Sequence, residues 1–355
     1  MLFVIFLGLL ILGIIFRNNK YLFVIQLCFI AFIIGGAGDS LADYPVYFNK
    51  FTNVSSNRQS NEWFFNLFLV TCKSTGMSYY GFRIVVGILY SVVVGFVSIK
   101  MSKNNFCFVV SMLMIYPFCI DSVQLRQTLA MLFGILAFER LFNRTRKLDI
   151  FLALIFLILA GGMHASTYLY LLLVPIFFIR NRNKFVLYCI ISVIVLFVIT
   201  SNSFEDIAEV FVSADKAELL EEKAIGAQFK YYILLIVISL LPIIPYLNDV
   251  NKKRNISSGS LILVKMNIAM IVICIPLMMY KGSFYRIQQV LLIFNYAAVS
   301  NYLVANYDKS EINISNFKYS IHSIVVSFVS LYMLVLSSPN LYTVFWPLFN
   351  DNIFA

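Results

Sequence analysis

Apolar residues crowd the chain into twelve long runs, near 2–16, 21–37, 79–99, 106–120, 127–142, 149–161, 165–179, 185–200, 229–247, 261–280, 287–305 and 319–336. The runs are continuous. They lack the strict alternation that a lipid-facing barrel strand shows. In hydrocarbon the backbone must satisfy its own polar groups, so such runs predict helices. About 20 apolar residues cross a bilayer, and several runs fall short of that. Counting each run as one crossing predicts an all-α, polytopic membrane protein of about 12 transmembrane helices, with 1–355 forming a single transmembrane domain.

Charge gives the runs a direction. Arg17/Lys20, Lys100/Lys103, Arg144/Arg146/Lys147, Arg180/Arg182/Lys184, Lys252/Lys253/Arg254 and Lys309/Lys318 occupy every second connection. The positive-inside rule puts all of these in the cytoplasm. The alternate connections hold most of the acids, namely Asp39, Asp43, Glu62, Asp121 and the run from Glu205 to Glu222. One topology fits, with both termini outside. It makes 149–179 a hairpin whose tip, 161–164, reads Gly-Gly-Met-His.

Two outer connections are large. Residues 38–78 contain a short apolar run from Trp63 to Cys72, too short to cross, which is expected to lie in the interface or re-enter. In 201–228 acids interleave with Ile207, Val210, Phe211, Leu219 and Leu220 at helical spacing. This stretch reads equally as an external amphipathic lid or as a solvated acidic loop.

Composition narrows the function. With 61% hydrophobic and 12% charged residues and a mean hydropathy of +0.87, no sizeable soluble domain fits. The net charge of +10 sits in short clusters between runs, with no solvated basic domain, so nucleic acid is not an expected partner. The six cysteines (28, 72, 107, 119, 189, 274) show no CxxC pairing and mostly lie inside apolar runs, as small core residues do. The N-terminus lacks a basic leader and a small-residue cleavage site, and reads as a retained first span.

Polar groups at membrane depth gather on the outer side: Asp43, Tyr44, Tyr47, Arg83, Asp121, Gln124, Arg126, Gln127, His164, Lys281, Tyr285, Arg286 and Gln288. Ionisable groups at such depth are costly and mark functional sites. Arginine forks match phosphate oxygens, and aromatic faces suit sugar rings, so an anionic lipid head group bearing sugars fits the set. Plainer readings stand beside this one. Arg126 snorkels at a helix end, Arg83 pairs with Glu62 or Asp43, Asp121 pairs with Arg126, and Lys281 and Arg286 are ordinary flanking charges. His164 is one of two histidines. The other, His322, sits near the cytoplasmic end of the last span and reads as structural. No carboxylate or histidine cluster has metal-ligand spacing, and neither a Walker motif nor a dinucleotide fingerprint is present. No cofactor is expected, so the driving force must come with the substrate.

The RQTLA segment (Arg126, Gln127, Ala130), the basic turn after it and GGMHAS (His164, Ala165, Ser166) together resemble the EpsG family of bacterial exopolysaccharide proteins, which are Wzy-type polymerases. An early Asp-x-x-Tyr is met here by Asp43, Tyr44 and Tyr47, with Asp43 and Tyr44 adjacent and Tyr47 four residues after Asp43. A late arginine, Arg286, opens a C-terminal span. The resemblance covers about 40–180 and 284–300.

The resemblance implies a GT-C-like, metal-independent glycosyltransferase in the bacterial cell membrane, working at the outer face on undecaprenyl-diphosphate-linked oligosaccharide. The product would be O-antigen, capsule or exopolysaccharide. It implies Arg126, with Arg286 or Arg83, as holders of the diphosphate and His164 as general base. Asp43, Tyr44 and Tyr47 would hold glycan, with Asp121, Gln127, Lys281 and Tyr285 lining the same pocket. A chain-length regulator and a flippase of the same pathway are the implied partners. A flippase of the same lipid-linked sugars would show charges along both halves and a repeat. A glycan ligase would use the same pocket as a polymerase.

Overall fold

A computed structural model describes residues 1–54, 61–202, 225–251, 257–280, 282–305, 314–336 and 339–354. Lys281 and residues 203–224 of the expected lid lie outside them. Among the described residues there is no β-strand, and one isolated bridge joins Ala37 to Asn352.

The helices are α1 (Leu2–Ile15), α2 (Lys20–Gly36), α3 (Tyr44–Thr52), α4 (Trp63–Ser74), α5 (Tyr79–Met101), α6 (Phe106–Ile115), α7 (Phe118–Asp121), α8 (Leu125–Phe142) and α9 (Lys147–Met163). A 3-10 helix, Ala165–Phe177, follows, then α10 (Arg182–Asn202), α11 (Ile225–Asn251) and α12 (Ser258–Tyr280). A second 3-10 helix, Gly282–Leu291, leads into α13 (Leu292–Ala305) and α14 (Ile314–Leu331), and α15 (Trp346–Asn350) lies near the end.

Every apolar run predicted from the sequence is helical, and local chemistry sets where several helices begin. The Asn19 side chain accepts from the backbone N–H groups of Tyr21 and Leu22 at 3.0 Å, starting α2. Asp149 accepts from the N–H groups of Thr145 and Arg146 at 2.9 Å, starting α9 after the basic turn.

Three stretches are helical by length and composition to the point of crossing a membrane unbroken: Tyr79–Met101, Phe229–Asn251 and Ser258–Met278. A fourth candidate is a bent pair, Ser320–Leu336 with Leu341–Asn350, turned by 92°. Other runs are shorter or divided. The run 106–120 is two helices, because Tyr116 precedes Pro117 and takes an extended conformation that stops α6. The stretches 165–177 and 282–291 wind as 3-10 helices, which are narrower and longer per residue than α-helices.

The outward surface is apolar, as lipid requires, with Val4, Ile11, Val92, Ile99, Ile190 and Ile194 all exposed. The interior carries the polar contacts. Gln26 donates to Ser111 Oγ at 2.9 Å and to the carbonyl of Leu9 at 3.1 Å. Asn267 and Asn295 exchange side-chain hydrogen bonds at 2.9 and 3.0 Å. Without a hydrophobic drive between helices in lipid, such pairs fix which faces meet.

Contacts between helix ends follow the alternation of charge. Among the described residues, the connections rich in Lys and Arg meet at one end of the bundle, while Lys252, Lys253, Arg254 and Lys309 lie outside the described residues. There Arg17 donates to Ser320 Oγ at 3.1 Å, and Lys100 pairs with the buried Glu139 at 3.0 Å. At the same end Asn105 reaches the carbonyl of Ser300, Arg144 that of Phe177, and Lys265 those of Ile179 and Arg180. The opposite end is closed by the last residues of the chain. Gly38 N–H donates to the Asp351 carbonyl at 2.7 Å, Ile353 N–H to that of Gly36 at 2.8 Å, and Ala42 N–H to that of Thr343 at 2.9 Å. A Cβ on Gly36 would lie 2.2 Å from the Asn352 side chain, so only glycine allows that approach. This clamp, which the hydropathy pattern does not reveal, fixes the segment that leads into α3.

Candidate functional site

The site grows from the tip of the α9 hairpin. His164 ends α9 in an extended conformation, φ −150° and ψ 115°, with its N–H bonded to Ala160 O at 2.9 Å. Thr167 secures the other side, donating from N and Oγ1 to the His164 carbonyl at 2.9 and 2.8 Å. The imidazole therefore projects from a backbone held before and after it.

Just before His164, Gly162 lets α4 come close. A Cβ on Gly162 would lie 2.7 Å from the Trp63 ring and 2.9 Å from Phe64 Cβ. That packing brings Glu62, the residue ahead of α4, onto His164. Glu62 Oε1 lies 2.8 Å from His164 Nδ1, and its other oxygen accepts from Nη1 of Arg126 at the start of α8. The Arg126 backbone N–H points to the Tyr47 hydroxyl on α3 at 3.4 Å. Three elements distant in sequence thus meet through one carboxylate, and α3 joins them through Tyr47 on Arg126. Relative side-chain exposures of 16% for Arg126, 16% for Glu62 and 23% for His164 leave the cluster roofed but open to a ligand.

Electrostatics fix the protonation states. Burial works to raise the Glu62 carboxyl, but His164, Arg126 and Lys50 outweigh it and hold the group at about 2. Burial lowers His164 below its ordinary value. Glu62 opposes that shift, while Arg126 and Arg286 add to it. At neutral pH the arrangement is a carboxylate beside a neutral imidazole. A carboxylate only accepts, so Nδ1 must carry the proton and Nε2 the lone pair. Nε2 has no hydrogen-bond partner among the described residues.

Arg286 acts on the same imidazole from the second 3-10 helix. Its Nε donates to the Tyr285 hydroxyl at 3.5 Å, and its terminal nitrogens make no hydrogen bond among the described residues. Tyr285 is buried and stacks on Tyr231 of α11, with centroids 4.8 Å apart and planes 6° from parallel. Asp43 is half-buried and acts electrostatically on Arg286 and Tyr47.

Several expected members lie elsewhere. Arg83 is fully buried and donates to the carbonyls of Ile34 at 3.1 Å and Ser122 at 3.2 Å, tying α2 to the turn before α8. The ion pair weighed for it with Glu62 or Asp43 is not formed among the described residues, because Glu62 is taken by Arg126 and His164. Asp121 does not pair with Arg126. It is buried and accepts from the Tyr90 hydroxyl at 3.0 Å. Tyr44 packs edge-on against Tyr79 at 4.9 Å. Gln127 is half-buried, and its side chain makes no hydrogen bond among the described residues. Gln288 is buried against Ser239 and the Leu235 carbonyl. Glu62 and Tyr231 are the residues the sequence pattern leaves out of the set. For Glu62 the one signal was an acid directly ahead of the apolar run at Trp63.

No curated protein matches the chain, and no solved structure matches it. The EpsG family profile matches residues 20–349, a span that contains Tyr47, Glu62, Arg126, His164 and Arg286. With that span matched, the chain belongs to the EpsG family, a family of Wzy-like polysaccharide polymerases and exopolysaccharide biosynthesis proteins.

Proposed function

We propose that this membrane protein polymerises undecaprenyl-diphosphate-linked oligosaccharide repeat units at the outer face of the bacterial cytoplasmic membrane. The bundle would be GT-C-like, with twelve crossings and both termini outside. The observation that carries the reading is the His164 imidazole, held at Nδ1 by a carboxylate and open at Nε2 beside two arginines. Nε2 takes the proton of an acceptor sugar hydroxyl. The hydroxyl oxygen bonds to the anomeric carbon of the donor glycan, and the bond from that carbon to the diphosphate breaks. The departing diphosphate carries the negative charge, which Arg286 and the remaining terminal nitrogen of Arg126 neutralise. The scheme calls for no cofactor, since the diphosphate is itself the leaving group. Tyr47, Asp43 and the Tyr231–Tyr285 pair flank the sugars. Arg83 and Asp121 are buried supports of the outer end in this scheme, without a part in binding.

Glycan lengths on carrier lipid, compared with and without the protein, test the reading. Loss of the protein leaves a single repeat unit on lipid at the outer face. No lipid-linked glycan outside would mean a flippase, and long chains on carrier lipid that never reach their final attachment would mean a ligase.

The sidedness has its own test. In a Cys28→Ser background, Ser74→Cys reacts with an impermeant maleimide on intact cells, and Thr145→Cys reacts only after lysis. Both positions are exposed, and they sit at opposite ends of the bundle. The reverse labelling pattern would overturn the outer-face assignment.

A further inference from the structure

We infer that Glu62 is a positioning residue of this site, fixing the tautomer and the direction of the His164 imidazole so that Nε2 faces the acceptor hydroxyl. The inference rests on His164 acting as the base, as proposed above.

A carboxylate this sheltered needs partners, and Arg126 alone would neutralise it. The structure commits only one oxygen to Arg126. The other is aimed at Nδ1 from 2.8 Å, well inside hydrogen-bond range. Free imidazole exchanges its proton between two nitrogens, and in one of those forms Nε2 carries hydrogen and cannot act as a base. An ionised Glu62 accepts and never donates, so it selects the form with Nδ1–H and leaves the lone pair on Nε2. The bond also holds the ring plane, which Thr167 fixes only at the backbone.

When Nε2 takes the proton, the ring becomes a cation. Burial, Arg126 and Arg286 all oppose that charge, and Glu62 is the acid bonded to the ring. The O–H bond of the acceptor breaks and an N–H bond forms at Nε2. The proton later leaves Nε2 for water or for an oxygen of the released diphosphate. Glu62 keeps its charge throughout. It lies in the large outer loop, so that loop supplies part of the reaction centre as well as contacts to glycan. Trp63 and Phe64 against Gly162 set its position.

The chain has two histidines, so 15N-histidine labelling with His322→Asn leaves one ring to observe. Purified wild-type protein should show one tautomer, with hydrogen on Nδ1. Glu62→Gln should show both tautomers, because an amide presents an acceptor and a donor to the same atom. Removing the group that raises the His164 pKa leaves burial, Arg126 and Arg286 in place. The ring then titrates at lower pH, and the acid limb of the rate profile moves down with it. At the plateau kcat falls on the order of 10²-fold, while KM changes by less than about threefold.

If Glu62→Gln does not fold, Glu62→Asp keeps the charge that Arg126 requires but is one methylene short. It should show mixed tautomers and an intermediate kcat. A single Nδ1–H tautomer with unchanged titration in a folded Glu62 variant overturns the inference. Mixed tautomers in the variant, from a protein whose wild type lengthens no lipid-linked glycan, leave the grip of Glu62 on the ring standing and sink the polymerase reading instead.

Discussion

Replacing His164 with glutamine should slow chain extension on the order of 10²–10⁴-fold, while donor binding and protein level stay close to normal. A sugar hydroxyl is a weak nucleophile at neutral pH, and the imidazole is the neutral base that the cluster holds open. Glutamine is close in size and keeps a hydrogen bond to Glu62, so the ion pair with Arg126 survives. What it cannot do is accept the proton. The product ladder should collapse to single repeat units. Purified His164→Gln that makes long chains at near the wild-type rate would remove His164 as base, and Asp43, which is half-buried and acts electrostatically on Arg286, would be tested next. His322 serves as a control. It sits on α14, the helix whose Ser320 meets Arg17 at the opposite end, so His322→Gln should leave the ladder unchanged.

This result would also show how far the sequence could be read. The helices were legible because hydrocarbon leaves the backbone no other arrangement, and each predicted run is helical. The two ends of the bundle were legible because basic residues mark every second connection. The contacts of Arg17, Lys100 and Arg144, from three of those connections, gather at one end. Helix breaks were harder to see. Pro117 stops α6 through its effect on Tyr116, and hydropathy does not register such an effect.

The site was legible as a collection of residues and not as a set of pairs. Arg126 and His164 stood out because each is costly at that depth. Their shared partner did not, because Glu62 lies in a loop where an acid costs nothing. Only the close approach of α4 to Gly162 carries it inward. Arg83 and Asp121 stood out for the same cost of depth, and the structure buries both. Both are polar and deep, but the partners each finds are neutral groups: two carbonyls for Arg83, whose Nη1 makes no hydrogen bond among the described residues, and a tyrosine hydroxyl for Asp121. Depth marks a residue as constrained, and only its partners tell whether the constraint is structural or catalytic.

Arg83, Arg126 and Arg286 should therefore separate when each is changed to lysine. Arg286→Lys should have the largest effect on turnover, lowering it on the order of 10²-fold with normal protein level. Its terminal nitrogens make no hydrogen bond among the described residues, so in the proposed scheme its planar fork is available to two diphosphate oxygens. Lysine keeps the charge but offers a single point of contact. Arg126→Lys should fall between. Part of that fork is already committed to Glu62, and an ammonium can keep that one contact while losing a second to the substrate. Arg83→Lys should act on the fold instead. One guanidinium there reaches two carbonyls on separate segments, and a single ammonium cannot serve both with the same geometry, so thermal stability drops while turnover per folded molecule is kept. Steady-state rates and melting temperatures of the three purified variants decide the order. Near-normal turnover from Arg286→Lys would show that the diphosphate needs only charge at that position. A loss of turnover in well-folded Arg83→Lys would return Arg83 to the binding site.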